Sequence, residues 1–275
     1  YCGDIVYVQT TEKYETDKKL VELRTMVLKE LEEGTSDTAS FANKITRRVL
    51  AEQLKTCWRL GVTYDCLNFE SQIVSSNLWK IIFEKMKELQ IIGLEQEGKN
   101  AGCWVIKSEG NDEDKVVVRS NGIATNIAKD IPYAAWKLGI LEDPFYYTKY
   151  GEQPDGKTLW QTVLEKNTNA KLDFTGEKVI TVIDSRQSRL QKIITKLMSS
   201  FKSQEGAYVH LGYEAVTLSA ETAKMLNVDT GGKQIQMSGR KGIYVNADYV
   251  LDILRVRTYE EAKKRNPELD EVRLV

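Results

Sequence analysis

Between Asp17 and Glu33 the apolar residues Leu20, Leu23, Val27 and Leu31 recur at steps of three and four, so the spacing predicts a helix with one buried stripe, closed by Gly34. A longer helix is expected from a cap at Ser36 or Asp37 through Leu60, with Phe41, Ile45, Val49 and Leu54 on one side and Gly61 after it. Asn77 caps a third, which carries Leu78, Ile82, Met86 and Leu89 before Gly93. The pattern then changes: "GCWVIKS" and "KVVVRS" read as short paired strands joined by the acidic run "EGNDEDK". Further on, "KVITVI" is a continuous apolar run suited to a buried parallel strand, "SRQSRLQKIITKLMSSF" has helical spacing, and "AYVHLGYEAVTLS" gives more strand. Asn246 or Asp248 opens a last helix that ends at Pro267. A mainly helical first part thus leads into strand-helix alternation, an arrangement that gathers ligands beyond the carboxyl ends of strands.

Composition narrows the function. No apolar run reaches the ~18 residues of a spanning helix, and no signal peptide is visible, so a soluble cytoplasmic protein is expected. With 39 basic and 40 acidic residues the chain has no overall attraction for polyanions, and any such partner must be met by local patches. The four cysteines show no CxxC spacing and His210 is the single histidine; no metal site is expected, and free, mostly buried thiols are. One histidine also leaves little room for Ser-His-Asp chemistry.

Several motifs occur in a fixed order: "DKVVVRSNGIATNIAKDIPYAAWKLGIL" (114–141), "VIDSRQ" (182–187), "HLGYEAVTLS" (210–219) and "MSGRKG" (237–242), with a fainter "LGVTYDCLNFES" at 60–71. In this order they resemble the arginyl-tRNA synthetases, where an "RSDG" turn leads into a helix with a Tyr-x-x-x-Asp pair and a variant of the class I "KMSKS" loop follows. The resemblance implies an α/β fold of the class I synthetase type, Rossmann-like and incomplete, with a mainly helical inserted region in the N-terminal half. It divides the chain into a helical connective region, 1–110, with short strands at its end, and a catalytic part, 111–275. The family's "HIGH" signature has no counterpart here, nor does its anticodon-reading domain; the chain by itself is therefore expected to be inactive, working with a separate chain that carries the "HIGH" half.

The family pattern assigns roles residue by residue. Asp130 stands where the family's Asp grips the arginine guanidinium, a planar fork that one carboxylate meets with two parallel bonds; without a ligand it would be an acid in a helix's first turn, favourable to the dipole. Asn126 replaces the Tyr four residues earlier and shares its helical face. Gln187 matches a Gln that touches the amino acid. In "MSGRKG", Met237, Ser238 and Gly239 would contact ATP, while Lys241 first and Arg240 second would offset charge on the leaving pyrophosphate; Gln236 and Gly239 occupy the positions of the family's two lysines. His210 and Tyr213 fall where the adenosine pocket wall is built, although a core histidine bonded to a backbone carbonyl is the plain alternative. Arg186 and Arg189 read as a solvated face or a contact to RNA phosphate, and the Tyr-rich run Pro144 to Trp160 as a loop packing its own rings. The implied ligands are L-arginine, ATP with Mg²⁺, and tRNA(Arg). A non-catalytic synthetase-derived protein binding arginine, tRNA or a partner subunit is the rival, favoured by Asn126, Gln236 and Gly239.

Overall fold

The computed structural model describes residues 2–107, 114–122, 124–166, 172–225, 235–236 and 244–268. In chain order its helices are α1 (Tyr7–Thr16), α2 (Lys18–Glu33), α3 (Asp37–Arg59), α4 (Glu70–Ser75), α5 (Leu78–Glu88), α6 (Ile127–Lys137), α7 (Ser188–Lys202), α8 (Ala220–Met225) and α9 (Ala247–Arg265). The strands are β1 (Cys66–Leu67), β2 (Ile92–Leu94), β3 (Trp104–Ile106), β4 (Lys115–Val118), β5 (Tyr146–Glu152), β6 (Thr158–Val163), β7 (Val179–Asp184), β8 (Tyr208–Tyr213), β9 (Thr217–Leu218) and β10 (Ile235–Gln236). Two compact units result: Val62–Glu214, and the residues up to Gly61 together with those from Ala215. This partition follows contacts rather than the sequence division at residue 110.

In the discontinuous unit each helix starts where a side chain satisfies a free amide. Asp17 accepts from the Lys19 amide at 2.9 Å to open α2, and Ser36 accepts from Ala39 at 3.1 Å to open α3. Gly34, at φ 73°, closes α2 in the left-handed conformation. Thr56 and Arg59 of α3 tie down the start of α9 through Asp248, and Arg59 also reaches Asp252. The stripes expected to be buried are so only in part: Leu54 is, whereas Leu23, Phe41 and Val49 are exposed. An amphipathic face is buried only where a second layer opposes it. The described residues of this unit supply none over those positions.

In the continuous unit, α5, α6 and α7 enclose the main core, with Ile82, Met86, Ile131, Trp136, Ile194 and Met198 fully buried. The expected pair of strands is β3–β4, extended by β2 into an antiparallel three-stranded sheet. The Tyr-rich run is a hairpin, not a loop: β5 pairs antiparallel with β6, and β1 joins β6 in parallel. Tyr147, Leu159 and Thr162 are buried while their neighbours are less so; Leu159 and Thr162, three residues apart, lie on opposite faces of β6, so the strand is covered on both sides rather than alternating. Asp143 anchors the hairpin, its carboxylate accepting from the Trp136 indole at 2.9 Å, the Phe145 amide at 3.0 Å and the Tyr147 hydroxyl at 2.5 Å. Burial first, and then the Asp143 bond, hold the Tyr147 phenol above its ordinary range.

The strand "KVITVI" is parallel, pairing residue by residue with β8 from Val179↔Tyr208 to Asp184↔Tyr213. It is not buried on both faces: Ile180 and Val182, with Leu211 opposite Val182, are all more than half exposed. Helix α7 packs on this sheet, and Gln191 from that helix accepts the buried Tyr208 hydroxyl at 2.9 Å. The four cysteines are free, Cys2 exposed and the other three part-buried rather than mostly buried. Burial pushes the Cys66 thiol up to about 11, so it stays protonated and inert.

Candidate active site

The "RSNG" turn sets up the first half of the site. Gly122, at φ 80°, closes the turn with its amide bonded to the Arg119 carbonyl at 2.9 Å, and Val118 then bridges Ala124. Thr125 fastens the returning chain to β4, its amide bonding the Val117 carbonyl and its hydroxyl the Val116 carbonyl. Helix α6 therefore leaves β4 at a fixed point, and Asp130 sits in its first turn.

Asp130 lines a cavity of about 230 Å³ with Asn68, Phe69, Glu70, Ile73, Lys129 and Tyr133. That is below the ~300–1,000 Å³ of a typical ligand pocket and suits one end of a small molecule. The carboxylate is half-buried and accepts no hydrogen bond from the described residues. Burial, then the neighbouring Glu70 carboxylate, raises its pKa, and Lys129, whose ammonium pairs with Glu70 at 2.7 Å, opposes them. The Tyr133 hydroxyl donates to Asn68 at 3.1 Å and closes one side. With the Lys129 ammonium paired to Glu70 and the Tyr133 hydroxyl given to Asn68, the Asp130 carboxylate accepts no bond from the described residues and is the complement of a cationic group. Asn68, Glu70 and Tyr133 were not singled out from the sequence as site residues. Tyr133 was legible as the residue three after Asp130 on one helical face, whereas the approach of 68–70 is tertiary.

Asn126, one turn earlier, is exposed, caps nothing with its side chain and does not line this cavity. Gln187 stands elsewhere, on a 3₁₀ turn (Ser185–Gln187) beyond the carboxyl end of β7, where it lines a second cavity of about 750 Å³. The structure thus places Asp130 and Gln187 on different cavities. Arg186 belongs to the turn itself: its guanidinium grips Asp184 at 2.6 and 2.9 Å, while Asp184 also accepts the Arg186 amide at 2.8 Å. Those bonds hold the Asp184 carboxyl down near 2.

Tyr213 ends β8 beside Asp184 and is about half exposed, a ring available at the strand's carboxyl end. His210 donates from Nε2 to the Ile183 carbonyl at 2.8 Å, which matches the plain alternative for that ring. Gly212 makes room for it, because a Cβ there would lie 3.2 Å from His210 Cε1. Gly212→Ala is expected to crowd the imidazole and cost about 1 kcal/mol, read from denaturant melts and from the histidine ring proton resonances. Unshifted resonances would mean that the ring has room to spare. Met237, Ser238, Gly239, Arg240 and Lys241 lie outside the described residues.

No protein-family model matches the chain. It is 33% identical over 233 residues to the arginine-tRNA ligase of Deinococcus radiodurans, covering 82% of this chain and 36% of that protein. The arginine-tRNA ligase of Thermococcus sibiricus is 29% identical over 274 residues, or 96% of this chain and 40% of the relative. Among solved structures, the Thermus thermophilus arginyl-tRNA synthetase superposes with a TM-score of 0.71 at 28% identity over 94% of this chain and 41% of its own. The Plasmodium falciparum enzyme shares the fold, with a TM-score of 0.54 at 13% identity, covering 95% of this chain and 34% of the other. These likenesses define a relative of the aminoacyl-tRNA ligases. More narrowly, it is the arginyl-tRNA synthetases that the chain resembles, and it spans about two fifths of the length of the relatives it matches. No helix among the described residues is long and apolar enough to cross a membrane.

Proposed function

We propose that this chain supplies the amino-acid-recognising part of an arginine-tRNA ligase acting in the cytoplasm, and that Asp130 is the group that recognises arginine. The observation that carries this reading is the half-buried Asp130 carboxylate, which lacks a donor among the described residues and faces a small cavity beside a second carboxylate. A guanidinium entering there gives two parallel charge-assisted bonds and restores the anionic form that burial disfavours. Tyr133 and Phe69 offer ring surface to a planar cation. Gln187 would bind the amino-acid end of the substrate once Asp130 and the strand ends close on it, and Asn126, in place of the family's Tyr, would offer an amide from the same helical face.

The reaction has two steps. An arginine carboxylate oxygen attacks the α-phosphorus of ATP, forming the mixed anhydride as the bond to pyrophosphate breaks; a terminal ribose hydroxyl of tRNA(Arg) then takes the arginyl group and releases AMP. Mg²⁺ arrives as part of the ATP complex. Lys241 and Arg240 would offset charge on the departing pyrophosphate, Met237, Ser238 and Gly239 would follow the triphosphate, and His210 with Tyr213 would wall the adenosine. Residues 1–110 then serve as connective region and 111–275 as catalytic part, a separate chain carrying the "HIGH" half where the two are split. The second reading, a binding protein without catalysis, draws on Asn126, Gln236 and Gly239 standing where the family has its Tyr and lysines.

The test is calorimetric titration with L-arginine and with L-citrulline, which has nearly the same shape but no charge. Arginine should bind at least ~100-fold more tightly, the scale on which a site loses a partner for a buried polar group. Equal affinities, or binding of neither, would remove Asp130 as the recognising group.

A further inference from the structure

Helix α7 carries Arg189, Lys192, Lys196 and Lys202 and no acidic residue, in a chain whose acids and bases are otherwise balanced. Arg189, Lys192 and Lys196 follow at steps of three and four, so they share one face and span ~10 Å of helix. That face borders two cavities, one of about 750 Å³ and one of about 500 Å³, which meet at Arg189 and Ile193. The opposite wall adds Lys99 from a 3₁₀ turn, Lys115 from β4 and Arg119 from the turn after it. Among the described lining residues the one carboxylate is Asp114, and Lys107 already holds it at 3.0 Å.

We propose that this groove along α7 binds the phosphate backbone of the RNA substrate, an inference that rests on the arginine-tRNA ligase reading above. Its length exceeds that of one phosphate, which favours a chain of them over a single small anion. No aromatic side chain lines either cavity among the described residues, so the groove offers phosphates a row of cations but offers bases no stacking surface. Ile193 and Leu190 add apolar surface to the lining. Contact here is electrostatic and independent of sequence.

The experiment uses the chain with Lys192→Gln and Lys196→Gln combined, which changes the α7 wall of the groove away from both the Asp130 pocket and the cavity that Gln187 lines. Affinity for a fluorescently labelled tRNA(Arg) transcript is measured by anisotropy between 50 and 200 mM salt. If two phosphate contacts are lost, the wild type should weaken about 7- to 12-fold more than the variant over that range, from a slope of ~0.7–0.9 per contact. L-arginine affinity should stay as in the wild type, which separates this outcome from failure of the Asp130 reading and shows that the variant is folded. Equal salt slopes for the two proteins would overturn the proposal, as would tripolyphosphate displacing the transcript no less effectively than unlabelled RNA of the same phosphate concentration.

Discussion

Asp130→Asn is expected to abolish measurable arginine binding while leaving the protein as stable at neutral pH as the wild type, or more so. Both halves follow from one environment. The folded chain holds the Asp130 proton more tightly than the unfolded chain does, because burial and Glu70 disfavour the anion. A carboxyl group raised in this way supports the fold at pH below its ordinary range, and that contribution is lost as pH climbs through the folded value. At neutral pH the ionised group is therefore a cost, which the neutral amide removes. Arginine needs the anion, so its affinity in the wild type should fall as pH drops through the raised Asp130 value, above the usual carboxylate range. In the Asn variant residual affinity should show no such step. Thermal melting and arginine titration from pH 4 to 8 report both effects, and a clearly lowered Tm together with wild-type arginine affinity would contradict the whole assignment.

The largest loss of stability should come from Asp143→Ala, at a distance from any proposed contact with substrate. Three donors converge on that carboxylate: the buried Trp136 indole, the Phe145 amide and the Tyr147 hydroxyl. Alanine leaves all three without their acceptor in a site that water reaches poorly, and each unsatisfied group costs about 1–3 kcal/mol. Relaxation recovers part of that, so about 3 kcal/mol is expected, a drop of roughly 6–12 °C in Tm for a chain of this size. Asp143→Asn keeps one acceptor oxygen and should lose less. Chemical denaturation gives the measurement; a change under 1 kcal/mol for the alanine variant would show that the network contributes little beyond its own desolvation.

What the sequence revealed and what it hid have physical causes. The cap at Ser36, the stop at Gly34 and the strands around "CWVI" and "VVV" rest on local chemistry, and each stands where its pattern put it, while Asp17, read as the first residue of its helix, is the cap. The hairpin of β5 and β6 was obscured by tyrosines, which suit a strand face as well as a loop. The run "KVITVI" indicated a strand correctly but not its open face, since apolar content says nothing of whether a second layer arrives. In the site, Asp130 was legible from the motif and its helical position. The cavity around it was not, because Asn68 and Glu70 reach Asp130 only through tertiary contacts.

Those contacts have a kinetic consequence. The segment that brings Asn68 and Glu70 to the cavity is held in place by β6 and by two glutamine clasps: Gln153 exchanges bonds of 2.9 and 2.8 Å with the Tyr64 backbone, and Gln72 donates to the Thr162 carbonyl at 2.8 Å. The partners lie 89 and 90 residues apart along the chain. Loops of that span close slowly, and they gain nothing until both ends are docked. During refolding, helix α6 and the Asp130 side of the pocket should acquire amide protection early. The wall bearing Glu70 should follow in a later phase, and ligand capture should lag behind the recovery of helical signal.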